Sequence, residues 1–133
     1  MFNITRNTST RILFPFMRIP VSNLEEIFRT ASGAVYQCNR QNCFWVEFAG
    51  GISAFKVHDF LQLKISVEAI DIKEMAQNTS RLADITIVMP PRSERCFVLS
   101  LTDVLNFREL LQGAKAMLKL KSLVYECLHA MAV

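Results

Sequence analysis

The sequence predicts an α+β fold in which an antiparallel sheet of five to six strands carries two main helices on one face. Strand-like segments occur in the order strand-strand-strand-helix and then strand-strand-helix, and the turns between them are too short for parallel neighbours. The chain of 133 residues is long enough to bury one core. We therefore expect residues 1–11 to be a disordered or loosely attached tail and residues 12–133 to form a single α+β domain.

The centre of the predicted sheet is a meander of three short strands over residues 34–57. These strands are rich in the β-branched and aromatic residues that suit a pleated, half-buried surface, namely Val35, Tyr36, Phe44, Trp45, Val46 and Phe48. The first turn, residues 39–42, is Asn-Arg-Gln-Asn, and the second, residues 49–51, is Ala-Gly-Gly. Asparagine and glycine tolerate the left-handed backbone that tight turns need.

The segments before the meander are less regular. Residues 12–21 are apolar but contain two prolines, which favours an extended segment or an edge strand. Residues 26–30 are predicted to pair as a strand with residues 34–38. The alternative is a short helix after Ser22, because Ser22 and Glu25 have the spacing of a capping box.

Five further elements are predicted after the meander. They are a helix over residues 58–69, a short helix over residues 72–77, strands over residues 83–89 and 96–101, and a last helix that begins at Thr102. The two strands are expected to be antiparallel partners, because the connection between them is short.

Two stretches of the chain share one pattern. FKVHDFLQLKISV, which starts at Phe55, and LSLTDVLNFRELL, which starts at Leu99, both read apolar-x-apolar-x-Asp followed by further apolar residues. In each, a strand runs directly into a helix, with His58 or Thr102 as the predicted cap. The similarity predicts a β-β-α duplication, and the alternative is a chance likeness between two unrelated strand–helix units.

Three segments of the chain resemble a small bacterial domain family of uncharacterised function. They are VYQCNRQNCFWVEFAGG, RLADITIVMPPRSERCFVLSL and ELLQGAKAMLKLKSLV, which hold a Tyr-x-Cys strand, an Arg-Gln-Asn-Cys turn and a late Leu-rich helix. The resemblance covers residues 27–128. It implies a cytoplasmic bacterial protein and no known chemistry, so it adds no catalytic residue.

Composition and motifs argue against several functional classes. No apolar run approaches the roughly 18 residues that span a bilayer, so no membrane partner is expected. The four glycines form no phosphate-binding loop, and no carboxylate pair lies in a catalytic motif. We therefore predict a protein that is not an enzyme and holds no cofactor. Four irregularly spaced cysteines favour free thiols in a reducing cytoplasm.

The cysteines are the first candidates for a site. Cys38, Cys43, Cys96 and His58 are the candidate metal ligands, because zinc takes four such groups around one point. Cys38 and Cys43 are also candidates for a redox pair. The alternative is that these cysteines are small buried hydrophobes, which is how free cysteine usually packs.

Arginines are the second candidates. Arg40, Arg92 and Arg95 lie in two equivalent turns, and Arg81 lies in a loop. If both turns project from one end of the sheet, these side chains form a basic rim that can bind phosphates or single-stranded bases. The alternative is ordinary solvated turn charge, which agrees with a net charge of only +3.

The C-terminal helix is the third candidate. A helix from Thr102 to Met131 would be about 45 Å long, more than the ~30 Å expected across a domain of this size. Apolar residues continue its stripe to the end, and the last of them are Leu120, Leu123, Val124, Cys127 and Met131. Either the helix breaks near Ser122, or its end projects and pairs with a second copy.

Together these features favour a non-enzymatic protein-interaction module that forms a homodimer and has a further, unknown protein partner. One alternative is single-stranded nucleic acid or RNA binding through the turn arginines, which the mildly basic charge allows. The other alternative is a metal or thiol site built from the cysteines.

Overall fold

The computed structural model shows an α+β protein, which confirms the predicted class. It describes residues 13–14, 17–18, 24–80, 84–90, 92–93 and 95–131, and the predicted N-terminal tail lies outside the described residues. In chain order the elements are β1 (Leu13–Phe14), β2 (Met17–Arg18), β3 (Leu24–Thr30), β4 (Gly33–Cys38), β5 (Cys43–Phe48), β6 (Gly51–Lys56), α1 (Val57–Glu68), α2 (Ile72–Gln77), β7 (Ile85–Val88), β8 (Phe97–Ser100) and α3 (Leu101–Met131).

The main sheet consists, over the described residues, of β3, β4, β5 and β6, which are antiparallel neighbours in chain order. The predicted meander is β4 to β6. Its two turns are closed by the pairs Cys38 with Cys43 and Phe48 with Gly51. The meander prediction is therefore confirmed.

Strand β3 lies at one edge of the main sheet and pairs with β4. A bulge between Glu26 and Phe28 shifts the register of this pair. The strand interpretation of residues 26–30 is confirmed. The alternative helix after Ser22 is wrong, because Glu25 lies within β3.

The turns of the meander use the left-handed backbone that their composition predicts. Asn42 has φ 53° in the first turn, and Ala49 and Gly50 have φ 55° and 79° in the second. Ala49 carries a Cβ in this region, which costs energy unless neighbouring groups hold the turn. Arg95 supplies such a contact, since its Nη2 donates to the carbonyls of Phe48 at 2.6 Å and Ala49 at 3.3 Å.

The expectation of one sheet with five to six strands is wrong. Within the described residues, β7 and β8 pair only with each other, from Ile85 opposite Ser100 to Val88 opposite Phe97. This pair, the ribbon, is antiparallel as predicted. Among the residues described, side-chain packing rather than a backbone ladder joins the ribbon to the main sheet, since Phe97 and Phe48 both contact Phe107. β1 and β2 form another small antiparallel pair.

The core lies between the main sheet, the ribbon and the helices α1 and α3. Phe107 of α3 stacks on Phe48 of β5, with centroids 4.2 Å apart, and tilts against Phe97 of the ribbon at 5.0 Å. Phe60 of α1 packs on Phe44 of β5 at 4.9 Å. Both main helices therefore cover the same face of the main sheet, as predicted.

The two strand–helix units bury side chains at four equivalent positions. β6 runs into α1, and β8 runs into α3, with no residue between. Four aligned pairs are buried in both units, namely Phe55 and Leu99, Phe60 and Val104, Leu63 and Phe107, and Val67 and Leu111. This equivalence agrees with the duplication hypothesis, which stays a prediction.

The predicted helix caps need correction. Ser100 rather than Thr102 caps α3, because its Oγ accepts from the Asp103 backbone N–H at 3.2 Å. Asp103 in return accepts from the Ser100 N–H at 3.0 Å, so the two residues form a capping box. His58 lies inside α1 and caps nothing among the described residues, and Lys56 holds the N-cap position.

Helix α3 is continuous over 31 residues, so the alternative of a break near Ser122 is wrong. Its first half crosses the main sheet close to β3. At the crossing, a Cβ on Gly113 would lie 2.1 Å from the Phe28 ring. Any side chain at this position would clash with the ring, so only glycine lets α3 approach β3 this closely.

Arg108 ties α3 to the end of α1. Its guanidinium donates to the carbonyls of Val67 at 3.2 Å and Glu68 at 2.9 Å, and also to the carbonyl of Ile70. The last carbonyls of a helix have no intrahelical partner. Arg108 supplies one and fixes the angle between the two helices.

We expect Leu110→Ala to lower the free energy of unfolding by about 2–5 kcal/mol, because Leu110 is fully buried and its removal leaves a cavity. Leu105→Ala is the matched control on the same helix, where the side chain is 48% exposed. Its cost should stay below about 1 kcal/mol. Urea denaturation measures both, and equal losses would contradict the described packing.

Arg108→Lys tests the tie between α1 and α3. Lysine keeps the charge but lacks the planar guanidinium that donates to three carbonyls at once. We therefore expect the free energy of unfolding to fall by about 1–3 kcal/mol. Arg40→Lys, in an exposed turn, is the control and should be near neutral. If both variants unfold at the same urea concentration, the carbonyl contacts of Arg108 do not stabilise the fold.

Candidate functional site

The end of α3 presents an apolar surface to solvent. From Lys119 to Met131 every residue of the helix is exposed. Seven apolar side chains there and one turn before lie on one side of the helix, and we call them the distal stripe: Met117, Leu120, Leu123, Val124, Cys127, Leu128 and Met131. Met117 is 42% exposed and Met131 is 80% exposed. Soluble monomers rarely carry an apolar patch of this kind.

The distal stripe is not in line with the centre of the buried side of α3. That centre holds Phe107, Leu111 and Ala114, with Leu118 packed at its end. With about 100° between successive residues, the distal stripe is rotated by roughly 130° from this centre. It is in line instead with Leu110 and Gly113, so the stripe expected from the sequence has a part that packs on the main sheet and a part that is exposed.

A lysine marks the point where α3 leaves the main sheet. Lys121 Nζ lies 2.6 Å from Glu25 Oε1 on the edge strand β3. Both side chains are about half exposed, so this pair adds little stability. It does show that a charged side chain of α3 lies next to β3 at this turn. The core therefore ends before this turn of the helix.

Arg40 and Arg95, two of the arginines predicted to form a basic rim, are not brought together. Arg92 donates to the carboxylate of Asp59, and Arg95 donates to the turn after β5. Arg40 is exposed in the turn before β5, at the other end of that strand from Arg95. Arg81 lies outside the described residues. Two of the arginines thus serve the fold, and the nucleic-acid hypothesis stays a prediction.

An open cleft of about 410 Å³ lies near the first turn of the meander. Its lining residues are Gln41, Cys43, Ala54, Phe55, Lys56, Asp59 and Arg92. The hydrogen bond from Arg92 lowers the pKa of Asp59 below its ordinary value. Arg92 and Asp59 neutralise each other, so the cleft is not a strongly charged anion site.

The structure brings together two of the four predicted metal ligands. Cys38 and Cys43 are buried and stand directly opposite each other across β4 and β5, whereas Cys96 is exposed. Among the described residues, no three His, Cys, Asp or Glu side chains form a group that could hold a metal ion. Cys96 and His58 therefore do not complete a ligand set with the cysteine pair.

Sequence reasoning missed a polar network on the face of the main sheet opposite the helices. The Tyr36 hydroxyl accepts from Arg29 Nη2 at 2.7 Å and donates to Glu47 Oε1 at 3.2 Å. Arg29 Nε also donates to Glu26 at 2.9 Å. Burial, together with the Glu47 carboxylate, raises the pKa of Tyr36 to about 12. The register would have revealed the network, since it places Tyr36 and Glu47 on one face.

The outer face of the ribbon is a second exposed apolar surface that sequence reasoning missed. Ile87 and Val98 are cross-strand partners and are 56% and 55% exposed. Ile85 and Met89 extend the same face and are also exposed. Alternation along the strand places Ile85, Ile87 and Met89 on one face. It does not show that this face points away from the core.

Comparison with known protein families, characterised proteins and solved structures finds no match for this chain. The resemblance to a small bacterial family therefore stays a prediction, and the geometry alone supports a functional proposal. In the part of the chain that the structure describes, no helix combines the length and apolar character needed to cross a membrane.

The Tyr36 network predicts a loss of stability in alkali. A folded-state pKa near 12, above the ordinary value of 10.0, means that the native state holds the phenol proton more tightly than the unfolded chain. The contribution of the Tyr36 phenol to the free energy of unfolding is fully present below pH 10 and is lost as the pH rises through 12. We therefore expect the stability difference between the wild type and Tyr36→Phe to shrink over this interval in urea denaturation. A difference that does not change with pH would contradict the perturbed phenol.

Proposed function

We propose that this protein is a non-enzymatic interaction module whose distal stripe pairs with the same stripe of a second copy. The observation that supports this most directly is the apolar surface at the end of α3, which is exposed beyond the core. Within the described residues nothing covers the distal stripe. Pairing with a partner would remove it from water.

The spacing of the distal stripe suits helix pairing. Met117, Leu120, Val124, Cys127 and Met131 recur at alternate steps of three and four residues. This is the repeat with which two helices pack side by side at a shallow angle. A two-fold pairing buries the same surface on both copies, which is the commonest arrangement in homo-oligomers.

Val124→Glu is the test of the pairing face. A carboxylate at the centre of the distal stripe would have to be buried without a counter-charge, so the variant should be monomeric. We expect the wild type to be a dimer at tens of micromolar in sedimentation or light scattering. A chain truncated after Lys121 should also be monomeric.

Ser122→Glu is the matched control. It adds the same charge to the same turn, but on a side of α3 away from the distal stripe, so the dimer should persist. A wild type that is monomeric at these concentrations would contradict the proposal. A dimer that survives Val124→Glu would place the interface elsewhere, and the exposed face of the ribbon is then the next surface to mutate.

A further inference from the structure

The pair of cysteines that closes the first turn of the meander is a separate feature, independent of the proposed dimer. Cys38 ends β4 and Cys43 begins β5, and the two are direct cross-strand partners. Cys38 is 3% exposed and Cys43 is 8% exposed. Residues that stand opposite in antiparallel strands have Cα atoms about 4.5–5.5 Å apart. A disulfide needs Cα atoms about 4.4–6.8 Å apart, so the backbone already has the geometry of a bridge.

The two thiols differ in their access to solvent. Cys43 lines the open cleft near the first turn, where its Sγ lies 3.9 Å from Gln41 Oε1. Cys38 does not line that cleft. A small disulfide reagent can therefore approach Cys43. Cys38 is placed to react with the mixed disulfide that forms on Cys43.

The surroundings of Cys43 favour the protonated thiol over the thiolate. Burial raises the pKa of the Cys43 thiol, and the neighbouring Cys38 thiol raises it further. The nucleophile in thiol–disulfide exchange is the thiolate. The charged side chains that line the cleft are Lys56, Asp59 and Arg92, and two of these neutralise each other. Reaction at Cys43 is therefore slower than at an ordinary exposed thiol.

We propose that Cys38 and Cys43 form a reversible cross-strand disulfide by exchange with a small-molecule disulfide that enters the cleft. In the first step the Cys43 thiol loses its proton to solvent and attacks one sulfur of the reagent, which releases one small thiol and leaves a mixed disulfide. In the second step the sulfur of Cys38 attacks Cys43 Sγ, and the Cys38 proton passes to the leaving sulfur, which departs as the other small thiol. Two protein thiols are oxidised to one disulfide, and one reagent disulfide is reduced to two thiols.

The bridge would lock the first turn of the meander. The turn holds Asn42 in the left-handed region, and Gln41 and Cys43 of this segment line the cleft. A covalent link between the strand ends restricts the unfolded chain and holds this wall of the cleft in place. The oxidised protein should therefore have a higher melting temperature than the reduced protein.

The experiment uses the full chain with Cys96→Ser and Cys127→Ser, because both of these thiols are exposed and would react first. The folded protein is incubated with oxidised glutathione and examined by intact mass spectrometry. The expected product has lost two hydrogens, carries no adduct and has no free thiol after denaturation. Peptide mapping should join Cys38 to Cys43, and dithiothreitol should restore both thiols.

Two single variants in the same background test the order of the steps. With Cys38→Ser, the mixed disulfide on Cys43 should form and persist, because the resolving thiol is missing. With Cys43→Ser, the folded protein should acquire no adduct at the buried Cys38. If the protein with both cysteines keeps a stable adduct, or reacts only after unfolding, the proposal is wrong. The peptide map comes from the protein with both cysteines. It therefore tests whether Cys38 and Cys43 form the bridge even if a single variant fails to fold.

Discussion

Phe107 is the side chain through which the separate parts of this fold meet. Its ring stacks on Phe48 of the main sheet and contacts Phe97 of the ribbon. No backbone ladder joins the main sheet to the ribbon within the described residues. Side-chain packing must therefore hold the two together, and each aromatic pair adds about 0.5–1.5 kcal/mol beyond the burial of its area. Arg95 supplies a second link, from beside the ribbon to the turn after β5.

Helix α3 carries out two tasks with its two halves. The first half is fixed by Phe107, by the carbonyl contacts of Arg108 and by the close approach at Gly113. These contacts orient the whole helix, so they also determine where its exposed second half points. The distal stripe is thus presented on a rigid support, which lowers the entropic cost of binding a partner.

The sequence by itself determined the local elements and their order. Period-2 runs of β-branched and aromatic residues predicted β4 to β6, and turn chemistry at Asn42 and Gly50 predicted the connections. The cap of α2 is equally local, because the Asp71 side chain accepts from the Glu74 N–H three residues on. These features depend on neighbours a few residues apart, so they are readable without the fold. For the same reason the sequence could place Cys38 and Cys43 on either side of one turn.

Only the tertiary structure decided how the elements combine. A strand pattern does not say which edge it joins, so the sequence could not separate the ribbon from the main sheet. Helical periodicity shows that a face is apolar but not whether the core reaches it, and so the one expected stripe has a part that packs on the main sheet and a part that is exposed. Arg92 donates to Asp59, and Arg95 donates to the carbonyls of Phe48 and Ala49. These contacts join residues that are 33 to 47 positions apart in the chain. Such contacts depend on where α1 and the ribbon pack. No local sequence pattern shows which residues so far apart in the chain will meet.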